Sequence, residues 1–232
     1  MKRATLMLAV LAAVSINARQ LMADPVVLNA SFEAVQIGPP FYSSNLADIP
    51  NWNHTGSIGD QALWAVGYSD GGGSITTAGD GNQFVTMGGG YFVPGSSSFD
   101  QLVAGFTPGN AYTLTFKMAS ENNIFPQSIT VDFPVGSSTG PQTFVAAAPT
   151  FNYWTDWETK SYTFVATATS VDIRFSVTDE PFDVGLDSVS VASTVPEPSA
   201  IALLATGTAG LLGFGWRRRI KGHRLAPVTG QH

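Results

Sequence analysis

Tyr112-Thr113-Leu114-Thr115-Phe116-Lys117-Met118 alternates large apolar and polar side chains without a break. Successive side chains of an extended chain point to opposite faces. The stretch therefore puts Tyr112, Leu114, Phe116 and Met118 on one face and Thr113, Thr115 and Lys117 on the other. One buried face and one wet face mark a strand of an antiparallel sheet. The Thr107-Pro108-Gly109-Asn110 turn stands just before it. The same alternation recurs at Ile129, Val131 and Phe133, and at Val171, Ile173, Phe175 and Val177. Further strands are expected near residues 26–32, 62–66, 83–87, 99–103, 142–146, 159–165 and 186–191. Gly, Pro, Asn and Asp punctuate them, as at Gly79-Asp80-Gly81-Asn82. No useful helical periodicity precedes Ser199, and no internal repeat is evident. The pattern predicts an all-β sandwich or barrel.

The 232 residues leave room for one domain with appended segments. Met1-Lys2-Arg3 precedes an apolar run over 4–16, too short for a span but suited to a signal-peptide core. Cleavage after Ala18 or Ala23 fits the small residues there, though neither is a clean A-x-A site. Residues 1–23 are thus read as a signal peptide, 24–193 as the β-sandwich, 194–224 as a sorting and anchoring segment, and 225–232 as a tail. Residues 199–216 carry no charge and are followed by Arg217-Arg218-Arg219. As a helix they reach roughly 27 Å, close to the hydrocarbon thickness of a bilayer. A basic end favours the cytoplasmic side.

Charge follows the same partition. All seventeen Asp and Glu lie between Asp24 and Glu197, where only Lys117, Lys160 and Arg174 oppose them. A domain so acidic should repel nucleic acid, so no nucleic-acid partner is expected. The chain has no cysteine, which excludes disulfides and thiolate chemistry.

Val195-Pro196-Glu197-Pro198, the apolar stretch and the arginine cluster Arg217, Arg218 and Arg219 occur in that order. Together they resemble the PEP-CTERM sorting signal. The resemblance implies recognition by an exosortase-type processing enzyme and transient anchoring in the inner membrane by a C-terminal transmembrane helix. The prolines hold an extended backbone that a processing cleft can bind. The tail to His232 is longer than is usual in that family.

The pieces Asn29-Ala30-Ser31-Phe32-Glu33, Ile49-Pro50-Asn51-Trp52, Gly79-Asp80-Gly81-Asn82-Gln83 and Gly185-Leu186-Asp187-Ser188-Val189 look like the galactose-binding-like jelly rolls, the fold of many carbohydrate-binding modules. In such domains the Asn-x-x-Phe-Glu start and a late Asp often hold a structural calcium ion. The resemblance thus implies that Glu33 and Asp187 share a calcium ion. Parity supports it: if Val189 and Val191 point inward, so does Asp187, and a buried carboxylate needs a cation or several donors. The alternative is that Asp187 caps a turn and Glu33 is solvated.

Aromatic side chains suggest glycan contacts, with Tyr153 and Trp154 as candidate binding residues and Trp157 as core. Catalysis has little support. His54 is the one histidine of the exported part, and no nucleophile elbow, zinc motif or phosphate loop occurs. Asp156, Glu158, Asp179, Glu180 and Asp183 are the acids available to meet as a carboxylate pair. The chain is expected not to be an enzyme. It reads as an exported protein of the cell envelope or extracellular matrix, and the sorting-signal resemblance implies association with exopolysaccharide or biofilm material. A carbohydrate-binding module is the alternative, and a glycan-active enzyme the third reading.

Overall fold

The computed structural model of the protein describes residues 24–56, 63–70, 73–88, 95–121, 126–148, 154, 156–180 and 182–194. The proposed signal peptide and membrane span lie outside them, as do Tyr153 and the sorting residues Val195, Pro196, Glu197, Pro198, Arg217, Arg218 and Arg219.

Among the described residues the strands are β1 (Tyr42–Ser43), β2 (Asn53–Gly56), β3 (Leu63–Ala65), β4 (Ser69–Asp70), β5 (Gly73–Ser74), β6 (Gln83–Met87), β7 (Gly95–Ala104), β8 (Ala111–Ser120), β9 (Ser128–Asp132), β10 (Gln142–Val145), β11 (Glu158–Val165), β12 (Ser170–Glu180) and β13 (Val184–Ser193). They form a sheet ordered β1-β3-β6-β13-β8-β11 and a second ordered β10-β9-β12-β7-β2, with β4 and β5 as a small ribbon. Every pairing is antiparallel. The fold is a jelly-roll β-sandwich.

The opening stretch forms it as read. Tyr112, Leu114, Phe116 and Met118 are buried, and their polar alternates lie on the outer face. Phe116 meets Phe175 of the facing sheet at 5.1 Å between ring centroids. Val85, Met87, Leu186 and Val191 from one sheet, and Phe99, Ile129, Val131 and Ile173 from the other, complete that core. Burying each such side chain is worth about 1.5–3 kcal/mol, and these layers dominate stability.

Two expectations fail locally. Residues 26–32 form no strand. Asn29 and Phe32 take left-handed backbone, with φ 48° and 57°, and Phe32 N–H donates to the Asn29 carbonyl. The Asn29 side chain secures this turn by donating to the Pro50 carbonyl and accepting from Ala34 N–H. Turn chemistry of this kind overrides an apolar run. Nor does Asp187 share the face of Val189. The register slips between Asp187 and Ser190, and Ser188 sits at φ 53°. This bulge opposes two residues to one and reverses the parity. Asp187 therefore lies on the outer face, paired in register with Lys117, while Val189 and Val191 enter the core.

Candidate functional site

The outer face of the six-stranded sheet is not left wet. Trp64, Ile75, Phe84, Ala119 and Trp154 form a second buried cluster there, with Val66, Tyr68 and Trp157 packed against it. The register aligns Tyr42 with Trp64 and Trp64 with Phe84 across three strands. Rings then follow in an arc. Tyr42 stands 5.5 Å from Tyr68, Tyr68 4.4 Å from Trp64, and Trp64 5.1 Å from Trp154. Trp154 lies 5.3 Å from Phe84, and Phe84 5.0 Å from Trp157. Tilted and edge-on pairs at these spacings are the favoured geometries.

This arc corrects one reading of the aromatics. Trp154 is only 2% exposed, so neither ring face is offered to a sugar. Its main-chain N–H donates to the Ser120 carbonyl. Trp157 is half-buried in the same layer, close to the core role expected of it. The accessible end of the arc is instead Tyr42, 36% exposed, with Tyr68 half-buried beside it. Sequence offered one clue to Tyr42, since it follows Pro39-Pro40-Phe41 in a stretch without alternation. Its pairing with Trp64 is non-local.

Where the arc ends, the turn 79–83 covers Asp187. That carboxylate is fully buried. Its Oδ2 accepts from Asp80 N–H at 2.6 Å and its Oδ1 from Ser188 N–H at 2.6 Å. Glu33 reaches the same turn. Its Oε1 accepts from the N–H groups of Asn82 and Gln83 at 2.5 and 2.7 Å, and its Oε2 from Gln36 Nε2 at 2.5 Å. Lys117 donates its ammonium to the Gly79 carbonyl at 2.5 Å. Close approach requires the glycines. A Cβ on Gly79 would lie 2.9 Å from Asp187 Oδ2, and one on Gly81 would lie 2.4 Å from Glu33 Oε1. Burial pushes the Asp187 carboxyl up to about 7, against the pull of its two amide hydrogen bonds and with the added push of Asp80 and Glu33.

The structure therefore brings Glu33 and Asp187 to one turn, as expected, but arms that turn with amides. Calcium takes six to eight oxygen ligands. Here all four carboxylate oxygens accept N–H donors, and the Gly79 carbonyl accepts an ammonium. Among the described residues no group of three or more His, Cys, Asp or Glu side chains is placed to hold a metal. In this arrangement the pair is engaged by amide donors.

Among the described candidate acids, Glu158 feels the charge of Asp156. Glu158 bonds Lys160 at 2.8 Å and Ala147 N–H, while the main chain of Asp183 bonds Glu121. The Asp179 and Glu180 side chains lie outside the described residues. Sequence reading missed a polar array on the outer face of the five-stranded sheet. Thr55, Ser98, Ser176, Thr130 and Thr143 line up in register across all five strands. Asn53, Asp100, Arg174 and Asp132 form the adjacent row, with Arg174 on Asp132 at 2.5 Å. Each strand shows its polar alternates in sequence, but only the registers align them.

Fold and terminus together define a class: an exported jelly-roll sandwich with a C-terminal sorting signal. A PEP-CTERM protein-sorting motif matches residues 194–219, beginning just after β13 ends. The chain belongs to the DUF642 family, described as "Protein of unknown function (DUF642)", which matches residues 26–190. Among solved structures the chain is similar to TmCBM61 in complex with β-1,4-galactotriose, at TM-score 0.47 and 16% identity over 74% of this chain and 99% of that one. It is also similar to a CBM4 domain, at 0.40 and 18% over 73% and 100%. A third likeness is to the CBM22-1 xylan-binding domain of Xyn10C from Paenibacillus barcinonensis, at 0.41 and 10% over 71% and 91%. No curated protein matches the chain.

Proposed function

We propose that this protein is a non-catalytic component of the cell envelope or extracellular matrix, associated with exopolysaccharide. An exosortase-type enzyme processes its C-terminal signal after a transmembrane helix has held it transiently in the inner membrane. One observation carries this reading. The sorting motif begins at residue 194, directly after β13 closes the sandwich at Ser193, so the whole folded domain is the cargo. Intact mass of the protein from cells and medium tests it. A product ending near Pro196-Glu197-Pro198 supports sorting and release, and a product retaining Arg217 to His232 refutes processing.

A second reading, a carbohydrate-binding module, is favoured by the rim of Tyr42, Tyr68 and Trp64. An exposed ring braced edge-on by Tyr68 and at a tilt by Trp64 is a rigid platform for the apolar face of a sugar. Gel retardation through soluble polysaccharides tests it.

A further inference from the structure

β13 does not run out into a free linker. Ser193 N–H donates to Asp24 Oδ1 at 2.8 Å. Thr194 N–H and Oγ1 both donate to the Ala111 carbonyl, at 3.1 and 2.9 Å. The arm that carries Asp24 is itself fixed. Pro25 lies against Gly105, and Val27 enters the core. Leu28 bonds the buried Gln101 amide through its N–H at 2.8 Å and its carbonyl at 2.9 Å. Two residues 169 positions apart thus close on each other, with a carboxylate as the acceptor. The sorting motif matches from residue 194. Its first residue is therefore bonded into the fold, and Val195 alone separates it from Pro196. From Thr194 to Pro196 a fully extended chain spans about 7 Å. An enzyme that cuts a chain holds it extended on both sides of the cut. Upstream of the Pro-Glu-Pro element that stretch is β13 itself, whose last residues are paired with β8 as far as Ser193 on Tyr112.

We propose that the bonds from Ser193 to Asp24 and from Thr194 to Ala111 form a latch on C-terminal processing. The end of β13 must peel from β8 before the processing enzyme can hold the chain upstream of its cut. This holds only if the C-terminal signal is processed, as proposed above. The cut breaks one peptide bond. The acyl carbon passes to water or to an amine acceptor, and the leaving nitrogen takes the proton. The latch has no part in that chemistry and acts through the population of peeled chain, a local opening at the end of a strand. Removing its carboxylate raises that population several-fold.

Four full-length chains test this in the cells that make the protein: wild type, Asp24→Ala, an insertion of Gly-Ser-Gly-Ser between Thr194 and Val195, and the two changes combined. The insertion supplies free chain upstream of Pro196 and leaves the latch in place. Intact mass through a pulse and chase reports both ends of each chain. Chains that have lost the N-terminal segment are the ones counted, because Asp24 borders a candidate cleavage site. The expected result is processing several-fold faster in Asp24→Ala and in the insertion, with no further gain when the two are combined. Asp24→Ala processed at the wild-type rate overturns the latch. An Asp24→Ala gain that is the same with and without the insertion also overturns it, since that gain would come from general loosening of the fold. Retention of Arg217 to His232 in all four chains refutes processing itself, and the latch with it.

Discussion

Lys117 and Asp187 stand opposite each other on neighbouring strands, and each holds the same turn. The ammonium takes the Gly79 carbonyl and the carboxylate takes the Asp80 N–H, the two polar ends of one peptide unit. With Glu33 on the amides of Asn82 and Gln83, the turn is fixed from three parts of the chain. Asp187→Ala strips two amides of their acceptor in a dry site. The expected cost is about 3 kcal/mol, a drop in melting midpoint of roughly 6–12 °C for a domain of this size. Lys117→Met, at a half-buried position, should cost about 1 kcal/mol. Urea titrations monitored by tryptophan fluorescence would measure both. Equal effects of the two substitutions would contradict this division of labour.

The same carboxyl sets a pH dependence. In the unfolded chain it loses its proton near 3.8, and in the folded chain near 7. Between those values the native state binds more protons than the unfolded one. Asp187 therefore makes stability fall as pH rises from about 4 to about 7, with no further change above that range. Asp80, Glu33 and Lys117 are the charged groups that face it around the turn. Melts at pH 5 and pH 8 should show a higher midpoint at pH 5, and Asp187→Asn should remove that part of the difference. A wild-type slope that survives the substitution unchanged would assign it to other groups.

We propose further that the turn is held without calcium, because its carboxylate oxygens are already engaged by N–H donors. Calorimetric melts with millimolar calcium and with a chelator should share one midpoint. A midpoint several degrees higher in calcium would show that the ion displaces Lys117 or the amides, and would support the Glu33–Asp187 metal site instead.

What was legible in the sequence was local. Alternation at Tyr112, Leu114, Phe116 and Met118 set the buried face of β8, and residues 83–87 are β6 as expected. Parity failed at Asp187 because one bulged residue, Ser188, reverses every face that follows it, and no residue there announces the bulge. The turn at 79–83 was visible as Gly-Asp-Gly-Asn. That it folds back over the outer face, closing on a residue more than a hundred positions away, was not. Trp154 was misjudged for the same reason. A tryptophan in a polar stretch looks exposed until Trp64 and Phe84, from other strands, are placed against it.

Tyr42 is the residue on which glycan binding should turn. Its ring is the exposed end of the arc, and its loss leaves the buried cluster of Trp64, Phe84 and Trp154 in place. Removing one stacking ring from a sugar platform should weaken retardation by polysaccharide about tenfold, on the order of 1.4 kcal/mol. The melting midpoint should move by only a degree or two, since the position is an exposed edge. Retardation unchanged in Tyr42→Ala would move the site elsewhere, with the hydroxyl row of Thr55, Ser98, Ser176, Thr130 and Thr143 the next surface to test.

Gly185 tests whether the outer aromatic layer is a true second core. It lies on β13 beneath the arc, where an added Cβ would stand 2.9 Å from Trp157, 3.0 Å from Trp154 and 3.4 Å from Phe84. Those are ring atoms, and the rings are wedged against one another, so none swings aside without opening a gap. Gly185→Ala should therefore cost about 1–3 kcal/mol through overpacking. Trp154→Ala, which empties the centre of the layer, should cost about 3–5 kcal/mol. The two changes act on one packed unit, so the double variant should fall short of their sum. Urea titrations of the four proteins measure this directly. Full additivity would mean that glycine and tryptophan act independently, and that the outer layer is a loose cover on the sheet rather than a core.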